Sequence, residues 1–338
     1  MARIGLMGFG RIGRNLFRQL AERDDHEIVA IVDRADPEAL TYLLRYDSIY
    51  GRFPHPVSIT DGALDFAGRS IPFLSVQEPS ELDWSAYDVD VVVQAIGQYR
   101  TREFSEQHLA AGAPIVVLAS TPETPGELPI LIPGFNDEVL SSDTTVIAMG
   151  SNTSQAMVPV LSTLDDAFGI RRAFFTTVHA FTSHQRLADV PTTDFRTSRA
   201  AGENIIPAPT NSPEIITQIL PQLEGRISAM ALNVPVPDGS TVDLVVDLDA
   251  TPGAEAVNAA LRSAAEGRFS GSLEYTEDPI VSSDVRGSTA SGIVDGLATM
   301  AMDGDLVKVI TWFDNGWGYT ARIVEVLDRL DAREEVPA

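Results

Sequence analysis

The chain contains no cysteine. Disulfides, thiolate metal sites and thiol nucleophiles are therefore all excluded. Lysine is almost as scarce: Lys308 is the only one, and it lies in a strand-like run, so Schiff-base chemistry would have to rest on that residue. Positive charge in general is short, with 24 Lys and Arg against 48 Asp and Glu and a formal net charge of -24. A surface so acidic repels phosphate backbones and anionic lipids, which argues against nucleic acid and a membrane surface as partners; a small-molecule substrate is expected from the motifs below. It also keeps a protein soluble. No apolar run is long enough to span a bilayer, and Arg11 and Arg14 break the apolar N-terminal stretch. The expected location is cytoplasmic. With 338 residues there is room for two domains and a sizeable core.

What the chain does have begins at residue 4. A short buried strand, Ile4 to Met7, runs into Gly8-Phe9-Gly10-Arg11-Ile12-Gly13, then a helical stretch, then a second strand from Glu27 to Val32 that ends in Asp33. This is the dinucleotide fingerprint in its required context. Gly8 permits the tight turn, Gly10 lets a pyrophosphate approach the backbone, and Gly13 lets helix pack on strand. Asp33 stands 20 residues after Gly13, where a carboxylate takes a ribose hydroxyl. Arg34 could pair with a 2′-phosphate, but Asp33 would repel that phosphate, so NAD is expected over NADP. Further strands at 89–94, 114–118 and 144–148 alternate with helical stretches such as 102–111. That pattern gives a mostly parallel, doubly covered Rossmann sheet. Loop tips carrying Gly97 and Ser120 would face the cofactor at its carboxyl edge. Arg69, Arg100 and Arg102 read as solvated charges.

The second half opens at Met149-Gly150-Ser151-Asn152-Thr153-Ser154-Gln155. Ser151, Asn152, Thr153 and Ser154 are all good N-caps for the helical pattern that follows and closes at Gly169. A residue just inside such a start sits at the positive end of a helix dipole, a place for an anion or an ionising thiol. This chain places Gln155 there. A strand from Arg171 leads to His179, an irregular segment spans 183–209, and strands at 230–235, 242–248 and 306–312 with a helix at 251–265 suggest an α+β domain with a mainly antiparallel sheet. A last helix, Tyr319 to Leu330, is expected to return to the first domain. The expected division is 1–150 with 319–338, and 151–318.

Several separate motifs together resemble the glyceraldehyde-3-phosphate dehydrogenase family. They are Phe9 to Arg14, Tyr46-Asp47-Ser48, Gly51-Arg52-Phe53, Thr177-Val178-His179-Ala180-Phe181-Thr182, Asn204-Ile205-Ile206-Pro207, Val234 to Ser240, Glu274 to Pro279, and Trp312-Phe313-Asp314-Asn315-Gly316-Trp317-Gly318-Tyr319. The resemblance covers nearly the whole chain. It implies a Rossmann domain, a catalytic domain with an S-shaped loop over 183–209, NAD, and a homotetramer in which that loop approaches a neighbour's cofactor. It also implies that Asn315 fixes the nicotinamide amide, and that Asp33 and Pro191 follow the NAD-preferring pattern.

The departures gather at the implied active site. Gln155 stands at the position of the family's nucleophilic cysteine, followed by Ala156, Met157 and Val158. Among the implied phosphate-binding residues Thr182 and Thr210 match, as does Arg199 in the loop. His184 replaces an aspartate, Asn233 an arginine, and Asn211 a glycine. An amide is neither ionised nor nucleophilic, so the family's thioester route is expected to be absent. Loss of the arginine removes a charge-assisted contact worth about 1.5–3 kcal/mol. His179, which the resemblance makes a base, is retained, and an ordinary imidazole pKa of about 6.5 suits that role. The reading is a redirected NAD-dependent oxidoreductase, with His179 as base and Gln155, Asn233 and His184 on the substrate. The alternatives are a non-catalytic NAD-binding homologue and, more remotely, a Ser154–His179 nucleophile pair.

Overall fold

The computed structural model describes residues 1–141, 143–183 and 185–334. The chain divides into two compact units, Met1–Gly150 with Thr320–Ala338, and Ser151–Tyr319. Tyr319, expected to open the returning segment, thus falls in the second unit.

The first unit runs β1 (Ala2–Met7), α1 (Arg11–Leu20), β2 (His26–Val32), α2 (Pro37–Arg45), the short pair β3 (Tyr46–Asp47) and β4 (Gly51–Arg52), then β5 (Val57–Thr60), β6 (Ala63–Phe66), β7 (Arg69–Leu74), β8 (Val91–Gln94), α3 (Arg102–Ala110), β9 (Ile115–Leu118) and β10 (Val146–Ala148). Its main sheet has the order β10-β9-β8-β1-β2-β7-β6-β5. Pairing is parallel from β10 through to β7. It becomes antiparallel at β6 and β5. Ile4, Leu6, Ile31, Val92, Val93 and Val117 are buried, as the unbroken apolar runs of a doubly covered parallel sheet require.

The second unit contains α4 (Asn152–Phe168), β11 (Ile170–Ala180), β12 (Ile206–Ala208), α5 (Ser212–Ile219), β13 (Ile227–Val234), β14 (Ser240–Leu248), α6 (Gly253–Glu266), β15 (Leu273–Thr276), β16 (Gly292–Met302) and β17 (Leu306–Phe313). Its sheet order is β12-β13-β11-β14-β17-β16-β15. Four neighbouring pairs are antiparallel. The pairs β11–β13 and β15–β16 are parallel. Helices α4 and α6 pack on one face. The opposite face turns Phe174, Leu297, Met300 and Met302 to solvent, and there Lys308 pairs with Asp243 at 2.7 Å.

Helix α7 (Trp317–Glu334) begins in the second unit and continues into the first. Asp314 sets its start, accepting from the backbone N–H of Gly316 and Trp317 at 2.8 and 2.6 Å. Within the first unit α7 is tied down by ion pairs from Arg329 to Asp137 at 2.5 Å and from the N-terminal ammonium to Asp331 at 3.3 Å.

Candidate active site

In the first unit the chain turns from β1 into α1 through Gly8, whose φ of 101° is in the left-handed region. A side chain there would lie 2.6 Å from the Ala95 carbonyl oxygen. At Gly13 a Cβ would stand 2.1 Å from the Gly8 carbonyl oxygen, so only glycine lets the helix approach the loop. A Cβ at Gly10 would meet nothing within 4 Å, so the backbone faces open space at the point where a pyrophosphate would approach. Gly10 caps α1 without a side-chain hydrogen bond, and the first turn holds no acid, only Arg11 beside the half-buried Ile12. The start of α1 is therefore open to an anion.

Asp33 accepts from the backbone N–H of Phe9 at 2.8 Å and of Ala35 at 2.9 Å, which braces the glycine loop and holds a carboxylate at the end of β2. Arg14 donates to the Phe9 carbonyl at 2.8 Å, while burial lowers the pKa of its guanidinium. Arg34 is exposed, as is Gly97 after β8. The buried Ser120 Oγ after β9 has no protein hydrogen-bond partner among the described residues. Arg100 is not the solvated charge its sequence context suggested. It donates to the Thr121 carbonyl at 3.2 Å and so steadies the loop that carries Ser120. An open helix start, a glycine cradle, a terminal carboxylate and an orphan hydroxyl fit a dinucleotide.

In the second unit Ser151 is the residue that caps α4. Its Oγ accepts from Ser154 N at 3.0 Å, and the Ser154 Oγ accepts in turn from Ser151 N at 2.9 Å. The Ser154 hydroxyl also donates to the Ser151 carbonyl at 2.8 Å and is 0% exposed. Both the expected substrate contact and the serine-nucleophile reading at Ser154 are thereby corrected: its hydroxyl is occupied by the cap. Gln155 is 1% exposed, and its N–H already bonds the Ser151 carbonyl at 3.0 Å. It is packed in the first turn and is not displayed at the surface. Four residues on, Pro159 has no N–H, so the Gln155 carbonyl receives no donor from the i+4 position of the helix.

His179 lies on β11 in register with Asn233 on β13, and registered residues share a face of the sheet. The His179 ring meets the Phe313 ring edge-on with centroids 6.2 Å apart. His179 Nδ1 lies 2.6 Å from the Ala180 carbonyl oxygen. A carbonyl only accepts, so Nδ1 carries the proton and the lone pair of the neutral ring lies on Nε2. Asn315, between β17 and α7, is held twice. Asn152 Nδ2 donates to its carbonyl at 3.0 Å, and Ser240 Oγ donates to its Oδ1 at 3.3 Å. The same Ser240 Oγ accepts from Ala180 N at 3.0 Å. The start of α4, the end of β11 and the turn before α7 are thus linked by named hydrogen bonds.

The remaining substrate-site expectations separate. Thr182 bonds Gln185 Oε1 through its N–H at 2.6 Å and its hydroxyl at 2.9 Å. Thr210 Oγ1 lies 2.9 Å from Ser212 Oγ ahead of α5. Asn211 is exposed and caps α5 without a side-chain bond. Arg199 is exposed and already paired with Asp189 at 3.2 Å. The Ala200 N–H and this guanidinium hold the Asp189 carboxyl below its usual range. His184 lies outside the described residues. Ser240 and Asn152 were missed in the sequence: nothing in a lone Ser or Asn marks it as linking distant strands.

One group with metal-ligand potential occurs among the described residues, Asp25, His26 and Asp328. Arg23 forms ion pairs with both Asp25 and Asp328, so a guanidinium already engages the two carboxylates and offsets one of their charges.

A family model described as "Glyceraldehyde 3-phosphate dehydrogenase, NAD binding domain" matches residues 2–102. A second, "Glyceraldehyde 3-phosphate dehydrogenase, C-terminal domain", matches residues 151–315. The chain belongs to the glyceraldehyde-3-phosphate dehydrogenase family. It is similar to the glyceraldehyde-3-phosphate dehydrogenase of Geobacillus stearothermophilus, 41% identical over 324 residues that cover 96% of each chain. It is 40% identical to glyceraldehyde-3-phosphate dehydrogenase 1 of Bacillus subtilis (strain 168), again over 96% of each. With the Streptomyces coelicolor glyceraldehyde-3-phosphate dehydrogenase it shares 41% identity over 96% of this chain and 97% of the relative. The fold is that of this dehydrogenase family, an NAD-binding unit followed by a catalytic one, and the cofactor is NAD. No helix among the described residues is long and apolar enough to cross a membrane.

Proposed function

We propose that this member of the family is an NAD-dependent oxidoreductase that works without a thioester, on an aldehyde or alcohol other than the family's usual substrate. The observation that carries this is the absence of any cysteine, with Gln155 in the first turn of α4. NAD would be held by Gly8, Gly10, Arg11, Ile12 and Gly13 at the start of α1, by Asp33 and Arg34 after β2, by Gly97 and Ser120, and by Asn315. Asp33 keeps a negative charge where a 2′-phosphate would lie, which favours NAD over NADP. When bound, NAD supplies the hydride acceptor. His179 takes the hydroxyl proton of the alcohol, or of the aldehyde's hydrate formed with water, on Nε2, the atom that the Nδ1–Ala180 hydrogen bond leaves with the lone pair. Asn233, in register with His179, orients the substrate oxygen, with Thr182, Arg199, Thr210 and Asn211 on the loop side. The product leaves as a free carbonyl compound or acid.

A second reading, a catalytically inactive NAD-binding homologue, is favoured by one observation. Gln155 and Ser154 are both buried in the first turn of α4, so the position implied for a nucleophile presents no accessible group. The two readings separate on NADH absorbance with NAD and a panel of alcohols, aldehydes and hydroxy acids. Turnover that disappears in His179→Ala, with NAD affinity unchanged, supports the first. Silence across the panel with NAD bound stoichiometrically supports the second. A homotetramer is also proposed, supported by exposed Leu187 and Phe195 on the loop and by the uncovered apolar sheet face.

A further inference from the structure

We propose that Ser240 is a positioning residue that fixes which way the Asn315 amide faces and holds the peptide beside His179. Ser240 is 0% exposed, so water cannot serve its hydroxyl. One lone pair of Oγ receives the Ala180 N–H at 3.0 Å. The single hydroxyl proton must then go to an acceptor, and Asn315 Oδ1 lies 3.3 Å away. If the Asn315 amide were flipped, its Nδ2 would donate to Oγ instead. The hydroxyl proton would then be buried without an acceptor, a loss of about 1–3 kcal/mol. Oδ1 therefore faces Ser240, and Nδ2 is the face that Asn315 presents to a ligand.

The second arm reaches His179. The residue that donates to Ser240 is Ala180, whose carbonyl accepts the His179 Nδ1 proton at 2.6 Å. One hydroxyl thus sets both the amide that meets the ligand and the peptide that determines the imidazole tautomer. Asn152 secures the same turn from α4, donating to the Asn315 backbone carbonyl at 3.0 Å. The side-chain orientation depends on Ser240, and the backbone position on Asn152.

The inference rests on the reading of Asn315 as a cofactor contact. It predicts a preference for a ring substituent that accepts a hydrogen bond. NAD carries a carboxamide, which can both donate and accept. Its 3-acetylpyridine analogue can only accept. Calorimetric titration of the full chain with both ligands, and with ADP-ribose as a probe lacking the pyridine, tests it. The unaltered protein should bind the analogue about as tightly as NAD. In Ser240→Ala, Asn315 is free to turn. NAD can follow either orientation and the analogue cannot, so the analogue should weaken about twofold more than NAD, with ADP-ribose unchanged. Ser240→Thr, which keeps the hydroxyl, should restore the unaltered pattern. Equal weakening of NAD and the analogue in Ser240→Ala would overturn the proposal. So would a tenfold preference of the unaltered protein for NAD over the analogue, a measurement that needs no variant to fold. Failure of NAD itself to bind the unaltered chain would instead remove the cofactor reading, a separate result.

Discussion

His108 gives the molecule a defined acid sensitivity. The residue lies on α3, is 0% exposed, and accepts a hydrogen bond from Trp84 Nε1 at 3.0 Å through its Nδ1. An indole N–H can only donate, so the neutral ring must carry its proton on Nε2. A second proton on Nδ1 would break that bond and leave a buried cation against an N–H. Burial accordingly pushes the His108 imidazole down from 6.5 to about 3. The unfolded chain takes up a proton near pH 6.5 that the folded chain refuses until near pH 3. Stability from this group is therefore complete above pH 6.5 and falls as the pH drops between those values, by about 1.4 kcal/mol per unit. At pH 5 the loss is about 2 kcal/mol relative to pH 7.5. The substitution to make is His108→Gln, which keeps an acceptor for Trp84 but cannot titrate. Urea unfolding of both proteins at pH 7.5 and pH 5, followed by tryptophan fluorescence, isolates the effect from the many carboxylates they share. The unaltered protein should lose about 2 kcal/mol more than the variant over that interval. Parallel losses would show that His108 protonates in the folded state, and the reasoning would fail.

Two further outcomes follow from the site. Gly13→Ala puts a methyl group 2.1 Å from the Gly8 carbonyl oxygen, so calorimetry should show at least a hundredfold loss of NAD affinity, on the order of 3 kcal/mol. Near-normal binding would mean that the turn can open at little cost. Gln155→Cys should not restore efficient phosphate-dependent oxidation of glyceraldehyde 3-phosphate, because Asn233 and His184 remain where the resemblance implies an arginine and an aspartate. Near-normal turnover in that single variant, read as NADH formation, would show that the anion sites have been misjudged.

The dinucleotide-binding half was readable because its signals are local. Strand, glycines, helix and Asp33 succeed one another within about one βαβ unit, and each residue type has a steric or electrostatic reason to stand where it does. The same holds for the capped start of α4, although four candidate caps in a row concealed which serine would be used. Hydrogen-bond geometry selects Ser151, and that choice removes Ser154 from the chemistry. Other features depend on distant partners. The antiparallel extension β5–β7 and helix α2 are short, and they lie in a stretch dense with turn-forming residues. Strand β16 contains Gly296 and a register shift between Asp295 and Met300, which breaks the two-residue alternation by which a strand is recognised. The parallel pairing of β11 with β13, which sets Asn233 beside His179, joins segments about fifty residues apart and leaves no local trace. Burial of Gln155 was invisible for the same reason: a helix start reads alike whether solvent or a sheet covers it.

The lone lysine has a practical consequence. Lys308 sits in β17, with β14 hydrogen-bonded on one side and β16 on the other. A protease that cuts only after lysine has one target bond in the whole chain, and that bond is in the interior of a sheet. Cleavage requires β17 to leave both neighbours, so the rate of appearance of two fragments, ending and beginning at that position, measures the opening of the second unit directly. The sequence thus carries its own single-site clock for the unfolding of its catalytic half, with no label introduced and no residue changed.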